Sequence, residues 1–384
     1  MSEYQYYEFQ AIDRRLTEDQ MRQLRDMSTR VTITPTSFVN VYHWGDLKGD
    51  PKRLVERMFD AHLYTAGWGS RQVMLKVPKR QLSLKVAEQY CDTDVASAWS
   101  HGSSVVLDLS IHPEDGADEY WNEDDQEEGI LGSIVAARTD LARGDLRLLY
   151  IAWLFSADVG ELEDDELEPP VPPGLGELPG SLESLISFLR IDPYLVAAAA
   201  EGSEEAPDAP GDEELADWVA NLPAKTKDKM LVRLMRMEDQ FLGQTLMRQF
   251  QEARKADAPA GPASRTVGDL LFRAAQLRGE GERAAAEASR RAEEERQRKA
   301  AVARGKRLDA LKKQGERPWK QVDELIATSK PRQYDEAVAL LVDLRDLGVR
   351  EGAEAAVTER LDALGARYAN RTALLRRFDA AGLG

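Results

Sequence analysis

Between residues 279 and 313 the chain is almost wholly alanine, glutamate and arginine or lysine. It runs Ala284-Ala285-Ala286-Glu287, then Arg290-Arg291-Ala292-Glu293-Glu294-Glu295-Arg296, with no aliphatic side chain larger than alanine before Val302. A helix without an apolar stripe has nothing to bury, so this run reads as a solvated strut between packed regions. Glu294 precedes Arg298 by four residues and Glu295 precedes Lys299 by four, each pair contributing about 0.2–0.5 kcal/mol to the helix. The stretch 282–301 lacks the heptads of large apolar residues that a long coiled-coil dimer needs. Leu308 and Leu311 predict that only the last turns pack.

That strut divides a chain of 384 residues, a length suited to two or three domains that each bury a core. The net charge of −17 is unevenly spread: residues 1–223 hold 18 Lys and Arg against 43 Asp and Glu, whereas 224–384 hold 33 against 25. A mildly basic, helical second half opens nucleic acid as a minor reading, but its cations are interleaved with acids, which favours a solvated surface. With Cys91 as the one cysteine, no internal disulfide framework exists, which fits a reducing cytoplasm. Met1-Ser2-Glu3-Tyr4-Gln5 has neither a basic start nor an apolar core, so no signal peptide is expected. The longest apolar run, Leu148-Leu149-Tyr150-Ile151-Ala152-Trp153-Leu154-Phe155, falls far short of the roughly 20 residues that cross a bilayer. It predicts a buried helix and no membrane contact.

Along 1–158 the hydrophobic period alternates between strand and helix. Aromatic-rich residues 4–12 predict a strand, and Thr17 with Gln20 three residues later predicts a capped helix to Met27. Residues 31–35 and 72–78 predict strands, Asp50-Pro51 a helix start, and 95–111 a hairpin turning at His101-Gly102. Two helices divided at Gly144 follow, completing an α+β domain. Residues 159–180, six acids and then Pro169-Pro170-Val171-Pro172-Pro173, predict a semi-rigid linker. They contain a PxxP pattern, but so short a run matches by chance. A helical domain is expected over 181–255, a second linker over 256–264, the charged solvent-exposed helix over 265–316, and a small helical module over 317–384. The fold class is therefore an α+β N-terminal domain followed by an all-α region.

Candidate sites are sparse. Of four histidines, His43 and His62 flank the predicted helix at 51–61 inside aromatic strings, so they could share a site with Asp46 or Asp60. Tyr42, Trp44, Tyr64 and Trp68 could line a ligand cleft there, although aromatics in such a domain more often fill the core. No Cys/His zinc spacing, Walker loop or nucleophile elbow is present. The glycines at 174, 176 and 180 follow polyproline rather than a strand, unlike a dinucleotide loop. The acidic stretch 114–128 lacks the frame of an EF-hand, and Asp92-Thr93-Asp94 is too short to mark a metal. Met230, Met235, Met237 and Met247 could make an adaptable groove, but helical spacing favours core packing. No metal and no cofactor are expected.

Two resemblances arise. Tyr4-Gln5-Tyr6-Tyr7-Glu8-Phe9-Gln10-Ala11-Ile12-Asp13-Arg14-Arg15-Leu16, with Thr34-Pro35-Thr36-Ser37-Phe38 and Tyr334-Asp335-Glu336-Ala337-Val338-Ala339-Leu340-Leu341, resembles a family of uncharacterised bacterial cytoplasmic proteins over most of the chain, and implies no activity or site residues. Trp319 with Tyr334-Asp335-Glu336-Ala337 is similar to a tetratricopeptide hairpin, with Trp319 and Ala337 slightly farther apart than that repeat allows and no second copy. The expectation is a cytoplasmic, non-catalytic protein-interaction or scaffold protein that engages a protein partner, through Trp319 and Tyr334 of the terminal hairpin or through the aromatic N-terminal domain. The rival is an enzyme or small-ligand binder with an aromatic and histidine-lined cleft in 1–158.

Overall fold

The computed structural model describes residues 4–27, 31–112, 129–206, 210–236, 242–256 and 265–383. The acidic stretch at 114–128, with its calcium reading, lies outside these residues, as do Met237 and nearly all of the second expected linker. Contacts divide the chain into two compact units, Met1–Gly281 and Glu282–Gly384.

The first unit opens with β1 (Gln5–Gln10), α1 (Glu18–Met27), β2 (Thr32–Thr34), β3 (Ser37–Tyr42), α2 (Pro51–Arg57), β4 (Ala61–Ala66), β5 (Arg71–Pro78), α3 (Leu84–Ala87), β6 (Ala96–His101) and β7 (Ser104–Ile111). The helices α4 (Ile130–Ala142), α5 (Arg147–Asp158), α6 (Gly180–Leu189), α7 (Pro193–Ala200), α8 (Asp212–Asn221), α9 (Ala224–Met235) and α10 (Leu242–Ala256) follow. The strands form one antiparallel sheet in the order β2-β3-β1-β4-β5-β7-β6. Local signals start several elements as expected. Gln20 N donates to Thr17 Oγ1 at 3.2 Å while Thr17 N donates to Gln20 Oε1 at 2.9 Å, a reciprocal capping box. Asp50 accepts from Lys52 N at 2.9 Å ahead of Pro51.

Both faces of the sheet are covered, and the strands alternate between two cores. Tyr6, Leu63, Val73, Leu75, Leu107 and Leu109 point into a cluster closed by α4, α5, α6 and α7. Tyr7, Phe9, Phe38, Tyr64, Met74 and Val106 point the other way, against Leu24 of α1 and Leu54 and Val55 of α2. β3 and β4 fall outside the expected strands. Every residue of β4 is buried, so its pattern Ala-His-Leu-Tyr-Thr-Ala shows no polar alternation to betray a strand. The apolar run in α5 is the interior helix its length implied, buried from Leu148 to Ala157. Among the described residues no helix is long and apolar enough to cross a membrane.

The expected linker at 159–180 does not stand free. Proline favours extended chain, and extended chain can lie along a surface as readily as span a gap. Here Tyr90 donates to Pro170 O at 2.8 Å, Ser203 Oγ to Pro172 O at 2.7 Å and Gly174 N to Glu204 O at 2.8 Å. Gly174 has φ +86°, and a Cβ there would sit 2.9 Å from the side chain of Ala206. Leu175 joins the same core as Leu182, Leu195 and the strands, so residue 158 is not a boundary between packed bodies. The anchor of this strap is Glu168, 3% exposed. It accepts from Arg265 Nε at 2.8 Å and Nη2 at 2.7 Å, and from the Tyr150 hydroxyl. Arg265 Nη1 donates onward to Ala198 O at 3.0 Å.

Arg265 stands at the start of α11 (Val267–Gln314), where Thr266 and Asp269 cap each other at 2.9 and 3.2 Å. The first turns bury Val267, Leu270 and Ala274 in the first unit. The middle, 282–304, is exposed throughout, as its composition requires. Lys299 pairs with Glu295 at 2.6 Å as the spacing predicts, while Glu294 pairs with Arg290 at 3.9 Å rather than with Arg298.

In the second unit Leu308 and Leu311 are buried, followed by α12 (Arg317–Ala327), α13 (Pro331–Arg350), α14 (Glu354–Arg367) and α15 (Thr372–Ala380). Val322 and Ile326 of α12 share a core with Tyr334, Ala337 and Leu341 of α13, Leu361 of α14 and Leu374 and Phe378 of α15. Arg307 pairs with Asp343 at 2.5 Å and Asp309 with Arg350 at 2.6 Å, fastening the end of α11 to α13.

Removing Arg265 would leave the buried Glu168 carboxylate without its cation, so Arg265→Ala is expected to cost about 3 kcal/mol. Urea denaturation of the full chain, followed by tryptophan fluorescence, reads that loss. An added Glu168→Gln substitution in the same chain should recover part of it.

Candidate functional site

The sheet register separates the histidines that the sequence placed on either side of one helix. Phe9 pairs with Phe38 on one side and with His62 on the other, whereas Tyr42, the residue before His43, pairs with Gln5 four positions along β1. His62 is fully buried, stacked on Phe9 with ring centroids 4.0 Å apart. Its Nδ1 lies 3.0 Å from Glu8 O, an acceptor, so Nδ1 carries the proton, and Nε2 is buried without a partner. Burial lowers its pKa to about 3, against which the backbone hydrogen bond acts weakly. His43 is exposed beside Tyr4 and Trp44. Asp46 accepts from the Tyr7 hydroxyl at 2.7 Å, and Asp60 accepts from Ile12 N at 2.7 Å and Asp13 N at 2.9 Å. These four residues form no common site: each carboxylate serves a local hydrogen-bond role, and the buried imidazole is sealed from solvent.

The aromatic wall is mostly interior as well. Tyr7 packs on Tyr64 at 4.6 Å and on Tyr42 edge-on at 5.9 Å. Tyr42 accepts from Asn40 at 2.7 Å, and Tyr64 donates to Gln5 Oε1 at 3.1 Å. Burial pushes the Tyr64 hydroxyl up to about 12, and burial with the Asp46 hydrogen bond pushes Tyr7 higher still. Trp68 is half-buried with Nε1 on Ser70 Oγ at 2.9 Å; only Trp44 is well exposed, at 65%. In the C-terminal module the Arg360 guanidinium covers Trp319 at 4.4 Å, and the Tyr334 hydroxyl, 6% exposed at the residue level, accepts from Arg371 Nη1 at 3.0 Å. Both partner-binding candidates are thus engaged inside the module. Thr93, between Asp92 and Asp94, closes a turn with Ala96 and bonds Ser156 Oγ at 2.8 Å. Among the described residues no group of three potential ligands could hold a metal ion.

Two surface features remain that the sequence did not disclose. One is a cleft of about 730 Å³ at the end of the sheet, where the turn after β5, the β6–β7 hairpin, α2 and the chain after β1 meet. Lys76 lies at its floor, donating to Val55 O at 2.7 Å and pairing with Asp60 at 3.3 Å. Burial lowers its pKa, partly offset by Asp60. The cleft residues come from four segments far apart in sequence, so no local motif could announce them.

The other feature is α9. The methionine and leucine spacing in 224–235 predicted core packing, yet neither α8 nor α9 buries any residue. Leu231, Leu234 and Met235 share one face at 58%, 57% and 83% exposure, with Val232 beside them at 45%. Lys227 and Asp228, four and three residues before Leu231, lie on the same side, while Lys225, Lys229 and Arg233 point elsewhere and Arg236 follows the helix end. α8 is acidic and leans on α10: Trp218 meets Phe250 edge-on at 5.7 Å, and Glu214 pairs with Arg254 at 3.2 Å. α10 buries Leu242 and Phe250, which leaves the α9 ridge without a covering element among the described residues. Comparison with protein-family models, curated proteins and solved structures gave no match.

The folded pKa of His62, about 3, lies below its ordinary 6.5, so the unfolded chain takes up the proton first. The stability it contributes is complete above about pH 6.5 and is lost as pH falls toward 3, at up to about 1.4 kcal/mol per unit. Urea titrations at pH 7, 6, 5 and 4 should show His62→Phe with a shallower loss than the parent chain.

Proposed function

We propose that this is a non-catalytic cytoplasmic interaction protein, a scaffold whose N-terminal unit docks a protein partner along α9. The observation that carries the reading is the α9 ridge: three large apolar side chains, each more than half exposed on one helix face, where folding of the chain itself would favour burial. The cations of α9 outnumber its one acid, and Lys227, four residues before Leu231, lies on the ridge side, which suits an acidic amphipathic partner helix with its apolar face on Leu231, Leu234 and Met235. A second copy of this chain is a poorer match. The acidic helix α8 already spends Trp218 and Glu214 on α10, and a net charge of −17 opposes self-association.

The charged middle of α11 suits such a role because it adds no competing apolar surface. Its cations are paired along the helix, Arg291 with Glu287 and Arg296 with Glu293 at 2.8 Å, which disfavours a nucleic-acid reading. The enzyme reading that used His43, His62, Asp46 and Asp60 gains nothing from their separated environments.

Leu231→Glu, Leu234→Glu and Met235→Glu introduced together should leave the far-ultraviolet circular dichroism unchanged. They should weaken binding of an acidic amphipathic helical peptide at least about tenfold by fluorescence anisotropy, each tenfold being about 1.4 kcal/mol. A photo-crosslinking residue at Val232 should capture an acidic helix of a different protein in the native cell. Unchanged peptide binding in the triple variant, or crosslinking only between copies of this chain, would refute the assignment.

A further inference from the structure

The cleft at the end of the sheet is lined by both signs of charge, but the two signs are not equally committed. Its three acids are each engaged from within the fold. Asp13 receives Arg138 at 2.7 Å, and Asp60 receives two backbone N–H groups and Lys76. Glu56 receives Trp99 Nε1 at 3.0 Å and lies 3.4 Å from His101 Nδ1. The donors are less fully spent. Arg14 gives one N–H to Arg57 O at 2.6 Å, which leaves most of its five for another acceptor. The Lys79 ammonium and the hydroxyls of Ser103 and Ser104 make no hydrogen bond or ion pair among the described residues.

These donors are held in place by the backbone around them. Lys79 N donates to Ser103 O at 2.8 Å, tying the turn after β5 to the tip of the β6–β7 hairpin. The hairpin turns on Gly102, whose φ of +55° suits the first central position of a two-residue loop and puts Ser103 and Ser104 at the rim. Arg14 follows Asp13, and Asp13 is fixed by Arg138, itself 5% exposed at its side chain and donating to Lys76 O at 2.6 Å. Pro78 is the one large apolar residue in the lining, so the cleft selects a polar occupant.

We infer that the cleft binds a small phosphate-bearing molecule, with Arg14, Lys79 and the Ser103 and Ser104 hydroxyls as donors to its oxygens. A guanidinium, an ammonium and two hydroxyls arriving from separate segments suit a tetrahedral oxyanion better than a planar carboxylate, which one Arg fork satisfies by itself. The volume, about 730 Å³, falls within the range of small-molecule sites and exceeds what a bare phosphate fills. Asp13 and Asp60 are each paired with a cation and oppose the anion little, which leaves Glu56 as the one wall acid without a cationic partner of fixed charge. This site is independent of the α9 ridge and stands or falls separately.

The test uses the full-length chain and inorganic pyrophosphate as the probe, by isothermal titration calorimetry at constant ionic strength. Pyrophosphate should bind, with chloride at matched ionic strength giving no heat. Arg14→Ala with Lys79→Ala, both exposed and outside the buried core, should weaken the affinity about tenfold or more. Lys85→Ala, an exposed cation on α3 outside the cleft, should leave it unchanged. Absence of binding at millimolar pyrophosphate, or equal weakening by Lys85→Ala, would overturn the assignment. So would citrate binding that matches pyrophosphate and survives the Arg14 and Lys79 substitutions.

Discussion

A carboxylate in an apolar interior persists only where donors replace the water it has lost, and Glu168 is given three. Arg265 supplies two in parallel and Tyr150 the third. The geometry ties together parts of the first unit that are remote in sequence. Tyr150 belongs to the buried helix α5, Glu168 to the proline-rich strap, and Arg265 to the entrance of α11, while Ala198 of α7 accepts from the same guanidinium. The isolated bridge between Leu167 and Thr266 lies beside it. A Cβ on Gly202 would fall 2.3 Å from Arg265 Nη2, so the chain after α7 is shaped around this group too. One ion pair therefore sets where the strap lies and where the long helix begins.

What the core leaves over defines the surfaces available for function. The sheet is covered on both faces, so its aromatic residues are spent on packing rather than on a cleft. Polar groups on the second face gather where β5 and β7 pass α2: Gln72 donates to Asp108 at 2.7 Å, Lys52 pairs with Asp108 at 3.3 Å, and Lys76 reaches Asp60. That polar margin grades into the cleft. On the helical side of the unit, α8 sets Trp218 against Phe250 of α10, while α9 holds three large apolar side chains more than half exposed on one face.

Several elements were legible because their signals are local. Thr17 with Gln20 and Asp50 with Pro51 each satisfy orphan helix N–H groups within one turn, and each starts a helix where expected. The strand at β1 and the hairpin at Gly102 follow from the same local rules. β4 was not legible, since a strand buried on both faces loses the period that marks it, whereas β3 alternates between buried and half-buried positions. Nor was the fate of 159–180: its prolines fix an extended backbone, while its docking depends on a glutamate meeting an arginine 97 residues later. The candidate histidines failed for a related reason. Closeness to one helix in sequence says nothing of strand register, and register put His62 in the interior and His43 outside.

By itself, the amino-acid order determined the charged, self-supporting middle of α11, the helical second half, and the buried character of α5, because helix pairs, caps and apolar runs act over a few residues. Only the tertiary structure decided the strand order, the course of the strap, the cleft at the end of the sheet and the exposed ridge on α9. Each of those depends on which distant segments meet, and the free energy that selects such meetings is shared across the whole core rather than written in any one stretch.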